Sequence, residues 1–290
     1  MKPSKFVYVN AKTIDEALTS LKQPDSKIIA GGQSLVPLMN YRLSQPSTLI
    51  DISSIIELSQ ISVKDDELEI GSLVTHNQAI SSKDIIKHLP IISFALEYTA
   101  HKTIRNSGTI GGSAAHADPS AEWPLLIMLL DSSINIISYK NSRTISAKDF
   151  FISELTTDLK EDEIIKSFNF PKIKRNYGWS FEEIVQRSGD FALFSAGSII
   201  EIENNIIVNC KICVGGAGET PIRLSNIEAL IKGKNIEYSF TDIKDDQLLL
   251  LLDPTSDEHA SKEYRLHIGP QIIRNVLINS IQNYKDKKND

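Results

Sequence analysis

The sequence predicts an α+β protein of more than one domain. Three observations carry this prediction: helix-start signatures interleaved with short apolar strands over residues 13–100, a β-hairpin pattern over residues 191–214, and a largely helical remainder after residue 218. A chain of 290 residues is long enough for two domains or for one large one with a substantial core.

Taken in order, Thr13-Ile14-Asp15-Glu16 is a capping box, with Thr13 as N-cap and Glu16 reaching back. It opens a helix with Ile14, Ala17, Leu18 and Leu21 on one face, closed near Pro24. Residues 28–30 form a short buried strand running into Gly31-Gly32, and a second strand is expected at 48–52. A third covers 67–73, followed by another capping box at Thr75-His76-Asn77-Gln78 and a helix over 91–100. Residues 103–118 are rich in Gly, Ser, Ala and Asn and read as a long, specific loop. Asp118 as N-cap and Pro119 at the first helical position then open a Leu-rich helix to residue 130. Strands fill 133–139 and 163–170. The hairpin follows, with strands at 191–202 and 206–214 and Asn204-Asn205 at its turn, and Gly215-Gly216-Ala217-Gly218 ends it. The chain finishes with an amphipathic helix over 256–281 and a polar, frayed tail from Lys285. The texture changes after Tyr177-Gly178, which puts the main boundary near residue 175.

Composition excludes several function classes. With 41% hydrophobic residues, 23% charged residues and a formal net charge of −6, the chain is an ordinary globular one. It lacks the clustered Lys and Arg that a nucleic-acid surface needs. The longest apolar runs, 125–130 and 248–252, are too short to cross a bilayer, so no transmembrane segment is expected. The basic residues at the N-terminus have no apolar stretch behind them, so the expected location is cytoplasmic. Cys210 and Cys213 are the only cysteines. A zinc or iron–sulfur site needs four ligands, and the C-x-x-C lies in the strand pattern Ile206-Ile207-Val208-Asn209-Cys210-Lys211-Ile212-Cys213-Val214, so both are read as small buried hydrophobes.

Two glycine segments carry the candidate chemistry. In Ala30-Gly31-Gly32-Gln33-Ser34-Leu35 a strand ends in paired glycines, which lets the backbone turn so that successive N–H groups converge, while Ser34 adds a hydroxyl. This suits a pyrophosphate without a lysine; it is neither a P-loop nor a G-x-G-x-x-G unit. In Thr109-Ile110-Gly111-Gly112-Ser113-Ala114-Ala115-His116-Ala117-Asp118 a second glycine pair is flanked by hydroxyl residues and small alanines. One such segment is a turn; two in one domain suggest two walls of one cleft.

The stretch Ala30-Gly31-Gly32-Gln33-Ser34-Leu35-Val36-Pro37-Leu38-Met39-Asn40-Tyr41-Arg42-Leu43 resembles the first flavin loop of the FAD-binding medium subunits of the molybdenum hydroxylases, the carbon monoxide dehydrogenase and xanthine dehydrogenase type. Arg105-Asn106-Ser107-Gly108-Thr109-Ile110-Gly111-Gly112-Ser113, continuing to Pro119, is similar to the second. Arg187-Ser188-Gly189-Asp190-Phe191-Ala192 resembles the family's segment near the isoalloxazine, and Asp257-Glu258-His259-Ala260-Ser261-Lys262-Glu263-Tyr264-Arg265 its C-terminal helix. The resemblance implies a PCMH-type FAD-binding domain over 1–175, of two α+β subdomains at about 1–55 and 56–175, and a smaller α+β C-terminal domain over 176–290. It places FAD contacts on Ile29, Ala30, Gly31, Gly32, Gln33, Ser34, Leu35 and Val36, on Thr109, Ile110, Gly111, Gly112 and Ser113, on Glu122 at a sugar or adenine hydroxyl, and on the backbone near Leu159. It implies no catalytic residue and no metal on this chain. The molybdopterin cofactor would sit on a large subunit and two 2Fe-2S clusters on a small iron–sulfur subunit, in a heterotrimer or a dimer of heterotrimers. The flavin would collect electrons and pass them to an external acceptor. The alternative is a free-standing PCMH-type flavin oxidoreductase, for which no placed acid or base is identified.

Several residues have two readings. Asp118 is the N-cap of the next helix before it is an FAD contact, and Glu122 lies near N3–N4 of that helix, where a carboxylate suits the dipole. His116 is read as a packed loop histidine. Phe191 either shields the isoalloxazine or packs as a core strand aromatic. Lys102 and Arg105 either meet phosphate or are solvated surface charges. In several relatives a basic residue approaches the ring from the region that Glu182-Glu183 occupies here, which leaves the control of the flavin potential open. His259, Tyr264 and Arg265 are read as packing and interface residues on the terminal helix.

Overall fold

Short βα units build the first layer. Strands β1 (Val7–Asn10), β2 (Ser26–Ile29) and β3 (Thr48–Asp51) form a parallel sheet in the order β1-β3-β2. Helices α1 (Ile14–Ser20) and α2 (Leu35–Asn40) make the crossovers that parallel pairing requires. The computed structural model describes residues 2–173 and 175–289. The Thr13 hydroxyl accepts the Glu16 N–H at 3.1 Å, as the capping pattern predicts. The reciprocal half is displaced: the Glu16 carboxylate accepts from Lys12 N–H at 2.6 Å, one residue upstream of the N-cap. Ala17 and Leu18 pack against Ile50, Ile52 and Leu58. The strand expected to be buried at 28–30 is only half-buried, because β2 lies at the sheet edge and its flank stays open.

An antiparallel sheet forms the second layer: β4 (Ile61–Val63), β5 (Glu67–Gly71), β6 (Ser133–Ser138), β7 (Ser142–Ser146) and β10 (Glu163–Pro171), in the order β4-β5-β10-β6-β7. A small hairpin, β8 (Phe151–Ser153) and β9 (Thr156–Thr157), precedes β10. Between β5 and β6 lie α3 (His76–Ser81), α4 (Lys83–His88), α5 (Pro90–Leu96), α6 (Lys102–Arg105), α7 (Ile110–His116) and α8 (Glu122–Leu129), and α9 (Ala147–Phe150) follows β7. The Thr75–Gln78 capping box is complete in both directions. The helix expected to reach residue 100 ends earlier, at Leu96, and Ala100 turns the chain with φ 42°.

Two expectations fail here for physical reasons. Residues 103–118 are not one loop but contain α6 and α7; their small residues serve close packing rather than flexibility. The Leu-rich helix starts at Glu122 with Ala121 as N-cap, so Asp118 is no cap and Glu122 is the first helical residue. The Asp118 carboxylate instead accepts from Ser120 N–H at 2.9 Å, and the Pro119 carbonyl is taken by Gly216 N–H at 2.9 Å. That long-range bond pins the 118–121 turn and delays the helix. All eight residues of α8 are buried.

The last layer is an antiparallel sheet of β11 (Tyr177–Ile184), β12 (Phe194–Glu203), β13 (Ile206–Gly215) and β14 (Ile222–Arg223), in chain order. Asn204 and Asn205 have φ of 50° and 61°, the pair of left-handed residues that a two-residue hairpin turn needs. Helices α10 (Ser225–Ile231), α11 (Asp245–Leu249) and α12 (Lys262–Asn289) complete the fold. Helix α12 begins six residues later than predicted from 256 and runs beyond 281 through the tail expected to fray. There Lys285 pairs with Glu237 at 2.9 Å, and the Lys287 ammonium lies 4.7 Å from the Tyr177 ring centre. His259 therefore precedes the helix, while Tyr264 and Arg265 lie on it.

This sheet is covered on both faces. Ile272, Ile273, Val276 and Leu277 of α12 pack with Cys210, Ile200 and Ile212. Phe181, Ile199 and Cys213 instead join Trp123 and the leucines of α8. The two cysteines, three apart on one strand, thus enter different cores as free, buried thiols. No helix among the described residues is long and apolar enough to cross a membrane.

Candidate functional site

The first glycine segment follows the open edge of β2. Gly32 has φ +70°, and a Cβ on Gly31 would collide with the Ser107 carbonyl. Only glycine permits both the turn and the approach. The Gln33 side-chain amide folds back to donate to Gly31 O at 2.8 Å. Among the described residues, the N–H groups of Gly31, Gly32, Gln33 and Ser34 have no protein acceptor, and the Ser34 hydroxyl makes no cap bond to α2. Ile29 and Ala30 are half-buried, and Val36 is exposed beside them. The result is an open concave rim of unclaimed donors beside apolar surface, which is what an anionic group joined to a flat ring system needs.

The second segment is more committed. Thr109 is N-cap of α7, and its hydroxyl accepts from Gly112 N–H at 3.1 Å. Ile110 N–H donates to Val74 O at 3.1 Å and Gly111 N–H to Ser72 O at 2.8 Å, so these residues form a wall and offer no free donor. A Cβ on Gly111 would come within 2.6 Å of Ser72, which explains that glycine as a packing necessity. Gly112 and Ser113 remain accessible. The Gly31–Ser107 approach brings the two segments edge to edge. Leu159 follows the β8–β9 hairpin, which is tied to α7 by Leu155 N–H to Ala117 O at 3.1 Å.

Behind this wall lies a buried polar cluster. His76 accepts the Trp123 indole N–H on Nδ1 at 2.8 Å, and burial, assisted by Arg105, lowers its pKa to about 4, so it is neutral. Glu122 is 5% exposed, and burial pushes its carboxyl up to about 7. Glu183 of β11 is pushed to about 8 by burial and then by the charge of Glu122. Glu183 Oε2 and Ser195 Oγ are buried without a hydrogen-bond partner, while the Thr99 hydroxyl lies against Glu122 and acts to lower its pKa.

Arg105 is half-buried rather than solvated: its Nη1 donates to the carbonyls of Glu97, Thr99 and Ala100 at 3.3, 2.9 and 2.7 Å, while its Nε is buried without a hydrogen-bond partner. Lys102 is exposed. His116 is half-buried in the last turn of α7, and burial lowers its pKa. Phe191 is 56% exposed and lies before β12, which removes the core-strand reading. Arg265 is buried, donating to Leu193 O at 2.5 Å and Asp257 at 2.6 Å, as a packing residue should. The place of Glu183 in this cluster was missed from sequence. Its signal was the period-two run Tyr177, Trp179, Phe181, which continues onto it. Among the described residues no group of three or more His, Cys, Asp or Glu could hold a metal.

Comparison with known proteins agrees along the whole chain. Residues 4–173 match the FAD binding domain in molybdopterin dehydrogenase, and residues 179–280 match the CO dehydrogenase flavoprotein C-terminal domain. The 6-hydroxypseudooxynicotine dehydrogenase complex subunit alpha of Paenarthrobacter nicotinovorans is 35% identical, covering 99% of this chain and 98% of that one. Caffeine dehydrogenase subunit beta of a Pseudomonas species is 36% identical over 96% and 95%. Among solved structures, quinoline 2-oxidoreductase from Pseudomonas putida 86 superposes with a TM-score of 0.92 at 33% identity, covering 98% and 99%. Carbon monoxide dehydrogenase from Hydrogenophaga pseudoflava gives 0.94 at 28% identity, covering 98% and 99%.

Proposed function

This chain belongs to the family of FAD-binding subunits of molybdopterin dehydrogenases, and from that premise we propose that it relays electrons within a heteromeric molybdenum hydroxylase. The observation that carries the reading is the meeting of the two glycine segments at Gly31 and Ser107, with four unclaimed N–H groups on the rim. When bound, FAD supplies the redox chemistry, including the capacity to take up two electrons and release them.

The chain's own residues position and shield it. Gly31, Gly32, Gln33 and Ser34 donate to the pyrophosphate, while Ile29, Ala30, Leu35 and Val36 give apolar contact. Thr109, Ile110 and Gly111 form the opposite wall, and Gly112 and Ser113 its accessible edge. Glu122 takes a sugar or adenine hydroxyl, and the backbone near Leu159 closes the cleft. Phe191 covers one face of the ring. In this proposal a large subunit holds the molybdopterin cofactor and oxidises the substrate. A small subunit carries the 2Fe-2S clusters that feed the flavin, and an external acceptor drains it. The two buried cysteines support this division, since this chain cannot ligate a cluster by itself. The residues fall in a flavin domain over 1–175 and a C-terminal domain over 176–290, and the assembly is cytoplasmic.

Purification of the native complex tests the proposal. Stoichiometric flavin, iron and molybdopterin are expected together, with substrate-driven bleaching of the flavin absorbance. A lone flavoprotein that turns over a substrate without partners would replace it with the free-standing oxidoreductase.

A further inference from the structure

The C-terminal domain holds an open cavity that shares no residue with the glycine segments. Its volume is about 440 Å³, and three separate stretches wall it: Arg175 and Tyr177 at the entry to β11, Asn204-Asn205 at the β12–β13 turn, and Lys287-Lys288 in the last turn of α12. No carboxylate lines it among the described residues, although the chain as a whole carries a formal net charge of −6. The acids beside this helix end are engaged elsewhere: Glu237 pairs with Lys285 at 2.9 Å, and Asp286 accepts from Gln282 at 2.6 Å. Arg175 is held from outside the cavity. Glu203 lies 2.7 Å from its Nε and Glu201 3.7 Å from its Nη1, which leaves Nη2 without a partner among the described residues. The Lys287 ammonium lies 4.7 Å from the Tyr177 ring centre and faces Tyr177 O at 3.5 Å, with no carboxylate partner among the described residues. Partial burial of that ammonium lowers its pKa. Asn204 and Asn205, both left-handed, leave their backbone N–H groups without acceptors among the described residues. The helix dipole favours cations in a last turn, which accounts for the two lysines. It does not account for Arg175 and the hairpin turn, which meet them from elsewhere in the chain.

We propose that this cavity is a second anion site, which takes a phosphate-bearing small molecule. Three cations and two unclaimed backbone N–H groups offer donors, and the described lining supplies no acid to neutralise them. Such a lining selects a ligand rich in negatively charged acceptors. A phosphoryl group spreads its oxygens around one centre and can be met from three directions at once, whereas a carboxylate offers two oxygens in one plane. The volume falls in the range of about 300–1,000 Å³ that small-molecule sites occupy, while an acidic peptide needs an extended groove. Lys287 gains most from the ligand, because its ammonium has lost water without gaining a counter-charge. The proposal is independent of the flavin reading, since none of these residues belongs to the glycine cleft.

The test uses inorganic pyrophosphate, titrated by calorimetry into the full chain saturated with FAD so that the glycine cleft is already filled. An ionic strength of about 0.1 M screens distant surface charges. Saturable binding is expected with a Kd below about 1 mM, and Lys287→Met, which keeps the apolar stem, should weaken it about tenfold. In the wild type, pyrophosphate should also protect Lys287 from acetylation by an activated ester, read by mass spectrometry. Lys83, exposed and outside the cavity, should be labelled as before. No saturable binding in that range, an unchanged affinity in Lys287→Met, or equal protection of Lys83 would overturn the site. If Lys287→Met does not fold, the wild-type protection pattern decides alone. Tighter binding of a hexaglutamate peptide than of pyrophosphate would overturn the phosphate assignment in favour of an acidic partner segment.

Discussion

His76 couples acid stability to the architecture behind the glycine walls. Its Nδ1 accepts the Trp123 N–H at 2.8 Å, and its own backbone N–H holds Gly108 O at 3.0 Å. The imidazole is neutral when folded, with a pKa of about 4 against an ordinary 6.5. A depressed folded value means that the unfolded chain binds the proton first. The contribution to stability is therefore complete above pH 6.5 and is lost as pH falls toward 4. The gap between the two values corresponds to about 3 kcal/mol at about 1.4 kcal/mol per unit. Glu122 and Glu183 act with the opposite sign. Their folded values of about 7 and about 8 lie above the ordinary 4.5, so their contribution is present below 4.5 and lost as pH rises through 7 to 8. The wild-type pH profile is thus a sum of opposed slopes, and His76→Gln separates them. Urea denaturation at about pH 7 and about pH 4 should show the wild type losing about 3 kcal/mol more than the variant between the two conditions. Equal losses in the two proteins would mean that His76 does not titrate in this window, and would refute the reasoning.

Gly31→Ala drives a methyl group into the Ser107 carbonyl, a backbone atom that cannot rotate away. Forced apart, the two segments should lose FAD affinity by about tenfold or more, corresponding to an overpacking cost of about 1–3 kcal/mol; fluorescence titration with FAD checks this, and an unchanged affinity would contradict it. Arg265→Ala leaves the Leu193 carbonyl and the Asp257 carboxylate without their donor, at an expected cost of about 3 kcal/mol in urea denaturation. Cys210 and Cys213 are buried and burial pushes both thiols up, so a thiol reagent should modify neither until the protein unfolds. Modification at native pH without loss of structure would contradict that burial.

What could be read from the sequence followed the range of the interactions. The Thr75–Gln78 box, the Asn204-Asn205 turn and the opposed cysteines were legible because each is fixed within a few residues. The start of α8 was not, since it depends on Gly216 donating to Pro119 across the fold. The small residues of 103–118 suggested a loop, but they permit α7 to lie against Ser72 instead. The rim of the first glycine segment was visible, whereas the commitment of the Ile110 and Gly111 N–H groups was not, because their acceptors lie on another stretch of chain. Glu183 had a local alternation signal, but its buried setting comes with Ser195, which only the tertiary structure pairs with it. The family, and with it the cofactor, was carried by the motif resemblance rather than by any one residue.

The covering of α8 by the C-terminal sheet has a consequence for biosynthesis. The hydrophobic cluster around Trp123 and α8 is completed by Phe181, Ile199 and Cys213, and β13 ends only at Gly215. A ribosome that has just produced Ile173 has therefore made the whole flavin-domain match without the wall that seals its apolar interior. At roughly 5–20 residues per second, the remaining strands take roughly 2–8 s to emerge. During that interval the apolar surface that Phe181, Ile199 and Cys213 cover in the finished chain stays open to solvent.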